Sequence, residues 1–451
     1  MKHTLSGVIL AASLGFGLVQ LDVSIVNVAL VTFARELHAS TSSVAWIVDA
    51  YAIAFACMLL AGGALGDRIG AKRTFLAGFA IFGVASLGCA LAPTLGFLIV
   101  MRVVQGIGAC ALVPCSLALI AHAARDDGNQ RARAVGLWTA AGSVALAIGP
   151  IVGGALLATA GWRAIFLINL PICAVAMWLT ERMADETEPR ASRFDPLGQA
   201  LAVLTLVSAT AGVIEAGSLG FGAAIVRAAL ATTVLSATAF VLVEARLAEP
   251  MVPLGFFRKA TFSAAVGVGF AVNGSLYGAL FMLSIYLQRV RGYPPLDVGL
   301  AFIPFAVALG IANVIAGPLV GKRGPRVPMI AGLALAFAGF AMLFVCGAGT
   351  PYLAILPAFL VIPSGLGIAV PAMTSALLGT IPRARSGIAS GVLNTVRQAA
   401  GALGVATAAA SITRWGVVAG VHFLTVLWLA AIACAIGVAI AGIARVSPAV
   451  A

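Results

Sequence analysis

The sequence predicts a polytopic α-helical membrane protein, and three observations lead to this fold class. Hydrophobic residues make up 62% of the 451 residues and charged residues only 9%, and the mean hydropathy is +1.10. A soluble domain has about 25% charged residues, so this chain has too few to cover a surface that faces water. Its apolar runs are continuous and reach the length of about 20 residues that a spanning helix needs. A β-barrel would instead show short segments of alternating polarity.

Fourteen apolar segments follow one another along the chain. The weakest division is the turn-prone segment 217–222, which separates the seventh segment from the eighth. We predict transmembrane helices at residues 8–31, 44–65, 74–93, 96–122, 134–157, 164–181, 197–216, 222–243, 261–288, 297–321, 327–346, 351–377, 387–411 and 416–445.

The basic residues of the loops predict the orientation. With the N-terminus inside, nineteen lysines and arginines fall in the inward loops and tails and five in the outward loops. Cytoplasmic loops carry such an excess, so we predict an inner (plasma) membrane protein with both termini in the cytoplasm. The net charge of +12 is therefore assigned to topology. The bases form no single face, and nucleic acid is not an expected partner.

Two long polar linkers, 182–196 and 244–260, divide the predicted helices into six, two and six. The predicted domains are an N-terminal six-helix bundle (1–196), two additional transmembrane helices with a linker (197–260) and a C-terminal six-helix bundle (261–451).

An internal repeat relates the first and last six helices. The segment Gly63–Lys72 closes the second predicted helix, and Gly317–Arg326 closes the tenth with glycines and bases at the same spacing. Gly321 stands in the second copy where Asp67 stands in the first. Repeated halves of this kind are typical of transporters that rock about a central site.

Three charged residues of the first six helices fall inside apolar segments. Counted at 1.5 Å per residue, Asp22, Asp49 and Arg102 lie roughly 13, 8 and 9 Å below the outer surface. A charge at the bilayer centre costs about 2.5–3.5 kcal/mol or more, so such residues are commonly functional. One arginine among two carboxylates leaves one acid free to exchange a proton, and Gln105 lies one helical turn from Arg102. We predict that these four residues couple protons and contact substrate; a static ion pair that orients helices is the alternative.

A charged segment follows the second predicted helix. Asp67, Arg68, Gly70 and Lys72 lie at the predicted inner surface. Asp67 is placed to accept from the N-terminal amides of the next helix, where a negative charge is favourable. We predict a conformational latch here, with a solvated run of charges as the alternative.

The fifth predicted helix contains Gly149, Pro150, Gly153 and Gly154. Small residues let helix backbones approach closely, and proline bends a helix because it lacks an amide donor. We predict that this segment helps to seal one side of a pathway; close packing without any such role is the alternative.

A further polar cluster, Asn394 and Arg397, lies near the middle of the thirteenth predicted helix, where either a substrate pathway or helix–helix hydrogen bonding explains it. Aromatic rings in other helices are able to attract flat cations, although core or lipid packing explains each of them equally well. The predicted pathway residues are Asn27, Tyr51, Trp138, Tyr277, Asn394 and Arg397.

Several chemistries lack their usual motifs. No histidine lies deep in a predicted helix, and none of the seven cysteines forms a C-x-x-C pair, so we expect no metal site. The phosphate-binding pattern G-x-x-x-x-G-K-[ST] is absent, which argues against an ATP-driven pump. We expect neither an enzyme nor a bound cofactor. A membrane sensor or scaffold is a further alternative, which the lack of an attached signalling domain disfavours.

Six segments together resemble a known family. They are Leu21–Leu30, Trp46–Tyr51, Gly63–Arg73, Arg102–Gly108, Gly142–Gly154 and Gly161–Pro171. Their order is similar to that of motifs in the major facilitator superfamily and, within it, the fourteen-span drug:proton antiporters. One departure is the short turn at 413–416, where some members carry a longer extracellular insertion.

The resemblance implies a major facilitator fold, in which two six-helix bundles flank two extra central helices. It also implies proton-coupled export of lipophilic, often cationic, drugs or antibiotics by alternating access. The partners implied are a small-molecule substrate, protons and the lipid bilayer, with transport driven by the proton gradient. We expect the protein to be a monomer. A dedicated exporter of one endogenous metabolite or antibiotic, or a proton-coupled nutrient symporter, is the alternative.

Overall fold

A computed structural model describes residues 5–123, 128–183, 195–247, 250, 252–381 and 386–443, and in these ranges all regular structure is helical. Two short 3-10 helices cover Leu254–Arg258 and Met342–Val345. The α-helices are α1 (Leu5–Glu36), α2 (Thr41–Ile69), α3 (Ala71–Ala90), α4 (Leu95–Ala123), α5 (Gly128–Ala160), α6 (Ala164–Leu167), α7 (Asn169–Glu181), α8 (Pro196–Leu219), α9 (Ala224–Glu244), α10 (Ala260–Arg289), α11 (Pro295–Ala301), α12 (Ile303–Arg323), α13 (Arg326–Ala341), α14 (Tyr352–Leu378), α15 (Ser386–Trp415) and α16 (Val417–Gly442).

Local sequence explains where several helices begin and end. Ser40 precedes α2, and its hydroxyl accepts from the backbone N–H of Ser43 at 3.1 Å, as an N-cap residue does. Gly70 separates α2 from α3 with φ of 102°, and Gly324 separates α12 from α13 with φ of 69°. Only glycine adopts this left-handed region without steric cost, so the chain turns sharply at both sites.

Thirteen helical segments in the described ranges are long and apolar enough to cross a membrane. They coincide with thirteen of the predicted spans. One of these segments is formed by α6 together with α7, and another by α11 together with α12. The remaining predicted span, 387–411, lies within α15, which has 30 residues but is not among the thirteen. Its polar side chains, Asn394, Arg397 and Gln398, lower its apolar character, so the count of fourteen stays a prediction.

The chain divides into two compact units, Met1–Gln199 with Pro295–Leu300, and Ala200–Pro294 with Ala301–Ala451. In the first unit α1 packs on α5, α2 and α3 pack on α4, and α7 packs on α1 and α3. In the second unit α10 packs on α15 and α16, whereas α12 and α13 pack on α14. The predicted three-part division at 196 and 260 stays a prediction.

The two copies of the internal repeat make equivalent contacts. Lys72 Nζ donates to the carbonyl oxygens of Glu181, at 3.0 Å, and Met183, at 2.6 Å, where α7 ends. Arg326 occupies the same position of the second copy, and its Nη2 donates at 2.8 Å to the carbonyl oxygen of Ile440, near the end of α16. Each base thus ties the start of one helix to the end of another within its own unit, where positive charge is favourable.

Candidate functional site

A buried ion pair lies inside the first unit. Asp22 comes from α1 and Arg102 from α4, and Arg102 Nη1 lies 2.5 Å from Asp22 Oδ2. The two side chains are 0% and 1% exposed. Water is therefore excluded from the pair, and the protein itself must supply its remaining hydrogen bonds.

Gln105 joins the pair because it lies one helical turn from Arg102 on α4. Its Nε2 donates to Asp22 Oδ1 at 2.9 Å, and its Oε1 accepts from Arg102 Nη1 at 2.7 Å. Gln105 Nε2 also donates to Ser86 Oγ, on α3, at 2.9 Å. The amide thus contacts both charges and links α4 to α1 and α3.

Asn169 is a member of this cluster that sequence reasoning did not select. Its Nδ2 lies 3.2 Å from both Asp22 Oδ1 and Ser86 Oγ, and its side chain is fully buried. The available signal was its place in the segment Gly161–Pro171, as an amide inside an apolar helix. Ser86 carried no comparable signal, because serine is common in membrane helices. We call Asp22, Arg102, Gln105, Asn169 and Ser86 the carboxylate cluster.

Arg102 also reaches α2. Its Nε donates to the carbonyl oxygen of Ile47 at 2.9 Å, and its Cζ lies 4.3 Å from the centroid of the Tyr51 ring. The stacking of a guanidinium on an aromatic face is favourable. Tyr51, a predicted pathway residue, therefore presents this ring face to Arg102.

Asp49 lies outside the carboxylate cluster. Ile47 and Tyr51 are four residues apart on one face of α2, whereas Asp49 is two residues from each and points to the opposite face. Its side chain is 0% exposed, and neither carboxyl oxygen has a hydrogen-bond partner among the described residues. Of the two carboxylates expected beside Arg102, only Asp22 contacts it.

The two acids therefore differ in how the protein compensates their negative charge. Asp22 accepts from Arg102, Gln105 and Asn169. Three donors therefore compensate the negative charge of Asp22. A charge on Asp49 is buried without compensation, which is expensive, and a proton removes that charge.

At the C-terminal end of α2 the predicted latch is only partly described. Arg68 is exposed, Gly70 marks the break between α2 and α3, and Lys72 binds the end of α7 as given above. The side chain of Asp67 lies outside the described residues. The latch stays a prediction.

The glycines of α5 face α1 closely. A Cβ atom placed on Gly149 would overlap the Ser24 hydroxyl, and one on Gly153 would lie 2.8 Å from Ile25 Cγ1 and 3.0 Å from the Ile25 carbonyl oxygen. Real Cβ atoms do not come this near to other heavy atoms, so only glycine permits this approach of the two helices.

Farther along α5 the neighbour is α11. A Cβ atom on Gly154 would lie 2.7 Å from the Pro295 carbonyl oxygen, and one on Gly299 would overlap the Pro150 carbonyl oxygen. Residues Pro295–Leu300 belong to the first compact unit. α5 continues as one helix through Pro150. The predicted sealing role of this segment remains untested.

Two other predicted pathway residues of the first unit make internal contacts. Trp138 Nε1 donates to Ser116 Oγ at 2.9 Å, and its ring stacks on Phe16 with centroids 4.0 Å apart. Asn27 Nδ2 donates to the Val23 carbonyl oxygen at 2.8 Å within α1. Part of the aromatic surface considered for flat cations therefore already packs against protein groups.

A second polar cluster lies in the second unit. Arg397 of α15 donates from Nε to Asn273 Oδ1, on α10, at 3.0 Å, and from Nη1 to Asn394 Oδ1 at 3.4 Å. Tyr277, one turn beyond Asn273, is 8% exposed and packs so tightly on α15 that a Cβ atom on Gly401 would lie 2.7 Å from its ring. The structure thus brings Asn394, Arg397 and Tyr277 to one helix pair.

Comparison with known families gives one match across most of the chain. The family described as the Major Facilitator Superfamily matches residues 12–405.

Several curated proteins are similar along nearly the whole chain. The "Methylenomycin A resistance protein" of Streptomyces coelicolor is 37% identical, over 93% of this chain and 89% of that protein. The "Multidrug resistance protein Stp" of Mycobacterium tuberculosis is 33% identical, over 92% of this chain and 77% of that protein. The "Multidrug efflux pump LfrA" of Mycolicibacterium smegmatis is 32% identical, over 86% of this chain and 77% of that protein.

Solved structures show the same fold. A crystal structure of a D-xylose–proton symporter superposes with a TM-score of 0.71, covering 97% of this chain and 98% of that chain, at 16% sequence identity. At this identity the likeness concerns the fold alone.

Proposed function

Because the chain belongs to the major facilitator superfamily, we propose that it is a proton-coupled antiporter that exports drugs or antibiotics through the plasma membrane. The observation that carries this proposal is similarity over 86–93% of the chain to proteins named for resistance or efflux. The buried acids of the first unit support the proton-coupled part, because intramembrane carboxylates often carry protons in transporters.

In this proposal the two acids have separate tasks. Asp49 binds and releases the transported proton, since a proton compensates its unpartnered carboxyl group. The carboxylate cluster holds α1, α3, α4 and α7 together around Asp22. When one of its donors moves away from Asp22, the packing of these helices changes. Proton binding and substrate release alternate, so the inward flow of protons drives export.

We further propose that the chain is one of the fourteen-span members and acts as a monomer. α15 would be the fourteenth span, since it has 30 residues and packs on α10 and α16. A polar helix is tolerated in a membrane when its polar side chains face other helices or a pathway.

An exporter dedicated to one compound is the second candidate. Relatives that are 37% and 35% identical, from Streptomyces coelicolor and Bacillus subtilis, are named for resistance to a single antibiotic, methylenomycin A. A proton-coupled nutrient symporter is the remaining alternative. The range of compounds exported separates these candidates.

The first test is a growth screen of cells that express the full chain against varied toxic compounds. We expect resistance to several compounds, lost when an uncoupler collapses the proton gradient. Resistance to one compound alone would favour the dedicated exporter. No resistance to any compound would contradict export.

Asp49→Asn tests the proton site, because the amide keeps the size of the carboxyl group and cannot exchange a proton. In reconstituted vesicles we expect normal amounts of folded protein and loss of the proton release that substrate causes in the wild type. Glu36→Gln, at the exposed end of α1, is the control and should keep full coupling, since its amide oxygen can still accept from Trp162 Nε1 as the carboxylate does. Coupling retained in Asp49→Asn would exclude this acid as the carrier.

Orientation is also part of the proposal, and thiol labelling tests it. In a cysteine-free background, Arg35→Cys lies in a predicted outward loop and should react with an impermeant maleimide added to intact cells. Lys322→Cys lies in a predicted inward loop and should react only after permeabilisation. Both side chains are exposed in the structure, so burial does not limit either reaction. The reverse labelling pattern would invert the topology.

A further inference from the structure

Arg397 is a cation inside an apolar helix bundle whose identified partners are neutral. Nε and Nη1 bind the amide oxygens of Asn273 and Asn394, and the residue is only partly buried. Nη2 makes no hydrogen bond among the described residues. A guanidinium has five N–H donors, so three remain for another group.

No acid of the surrounding helices neutralises this charge. No aspartate or glutamate follows Asp297 in the sequence, and α10 contains none. The helices α10 and α12 to α16 therefore contain no carboxylate. An intramembrane charge without a counter-charge is expensive to retain and marks a functional site.

The surroundings hold the guanidinium in place. A Cβ atom on Gly269 of α10 would lie 3.3 Å from Arg397 Cγ, so the glycine lets the arginine stem lie against that helix. Asn273 lies one turn farther along α10 and binds Nε at 3.0 Å. These contacts set the plane of the Arg397 guanidinium and leave its Nη1–Nη2 edge for a ligand. That edge matches the two oxygens of a carboxylate.

We propose that Arg397 binds an acidic group of the transported compound, a carboxylate or a similarly flat anion, with Asn394 beside it. This inference rests on the proposed export function and narrows its substrate class. It departs from the lipophilic cations that the family resemblance implies. A permanent cation would meet a like charge at Arg397, with no acid in α10 or α12 to α16 to offset the repulsion.

Three compounds with one ring system test the charge preference. Anthracene-9-carboxylate, anthracene-9-carboxamide and 9-(aminomethyl)anthracene carry one substituent on the same ring system, which is anionic, neutral and cationic respectively at neutral pH. Binding to the full chain in nanodiscs is measured from ligand fluorescence. We expect the carboxylate to bind about ten- to a hundredfold more tightly than the carboxamide, as for a charged hydrogen bond, and the amine to bind most weakly.

Variants then assign the preference to Arg397. Arg397→Gln should lose the preference for the carboxylate over the carboxamide, and an unfolding temperature close to that of the wild type would show that the variant is folded. Arg397→Lys should retain part of it, because the charge survives without the planar fork. Arg414→Gln, exposed on the same helix, is the matched control and should behave as the wild type.

Three results would overturn the inference: equal or absent binding of all three compounds, tighter binding of the amine, or an unchanged preference in Arg397→Gln. The proposed export function fails separately. If cells export the amine but not the carboxylate in a gradient-dependent manner, the result supports the export function and contradicts an anion site at Arg397. If no toxic compound is exported while the carboxylate preference persists, the transport proposal falls instead.

Discussion

Removing either charge of the Asp22–Arg102 pair is expected to destabilise the first unit and abolish transport. Each single change, Asp22→Asn or Arg102→Gln, leaves the other charge buried and unpaired. Breaking a buried pair in this manner costs about 3–5 kcal/mol. The double variant Asp22→Asn/Arg102→Gln leaves no charge behind, so it should recover most of the stability but not transport. Thermal unfolding in detergent and export from vesicles measure the two effects separately.

The control for this experiment is Arg163→Gln. Arg163 is exposed in the same unit, where its guanidinium lies over the Trp162 ring, and its loss should change stability little. Wild-type transport in the double variant would mean that the pair only orients helices. Single variants as stable as the wild type would contradict the buried pair itself.

Gly149→Ala is expected to have a large effect for a change of one methyl group. The added Cβ atom would overlap the Ser24 hydroxyl and lie 3.1 Å from the Ile25 backbone nitrogen, so α1 and α5 must move apart. Overpacking of this kind costs about 1–3 kcal/mol. We expect a lower unfolding temperature and a loss of export, because α1 and α5 no longer approach each other as closely.

Gly136→Ala is a matched control on the same helix, because a Cβ atom there meets no heavy atom within 4 Å. It should be neutral or slightly stabilising, since alanine favours helix more than glycine does. Adding Ser24→Gly to Gly149→Ala removes the overlapping side chain and should restore part of the stability. If Gly149→Ala and Gly136→Ala behave alike, the close packing has no special role.

Sequence reasoning located the helices well because apolar length is a local property. Thirteen predicted spans coincide with apolar helices, and the short turn at 413–416 matches a break at Gly416, where φ is 78°. The predicted span at 387–411 is a helix as well, but its polar residues keep it below the apolar character of the others. The division of the chain at residues 196 and 260 relied on linker polarity and is still untested.

Depth along a helix was also readable from the sequence, but rotation about the helix axis was not. Counting residues placed Asp22, Asp49 and Arg102 at a similar level, and the structure pairs only the first with the arginine. Asp49 sits on another face of α2, a difference of two residues that depth alone does not reveal. The same limit explains why Asn169 and Ser86 were missed, since their roles depend on which faces of α7 and α3 are turned toward Asp22.

By itself the sequence determined the membrane class, the helical segments, the internal repeat and the residues that carry charge into the apolar region. Each follows from the composition of the chain or from the spacing of its residues, because hydrophobic burial and helix geometry relate these local properties to structure. Only the tertiary structure decided which of those charges are neutralised, because pairing requires side chains from distant segments to meet within hydrogen-bonding distance. It surrounded Asp22 with three donors, left Asp49 without one, and gave Arg397 only neutral partners among the described residues.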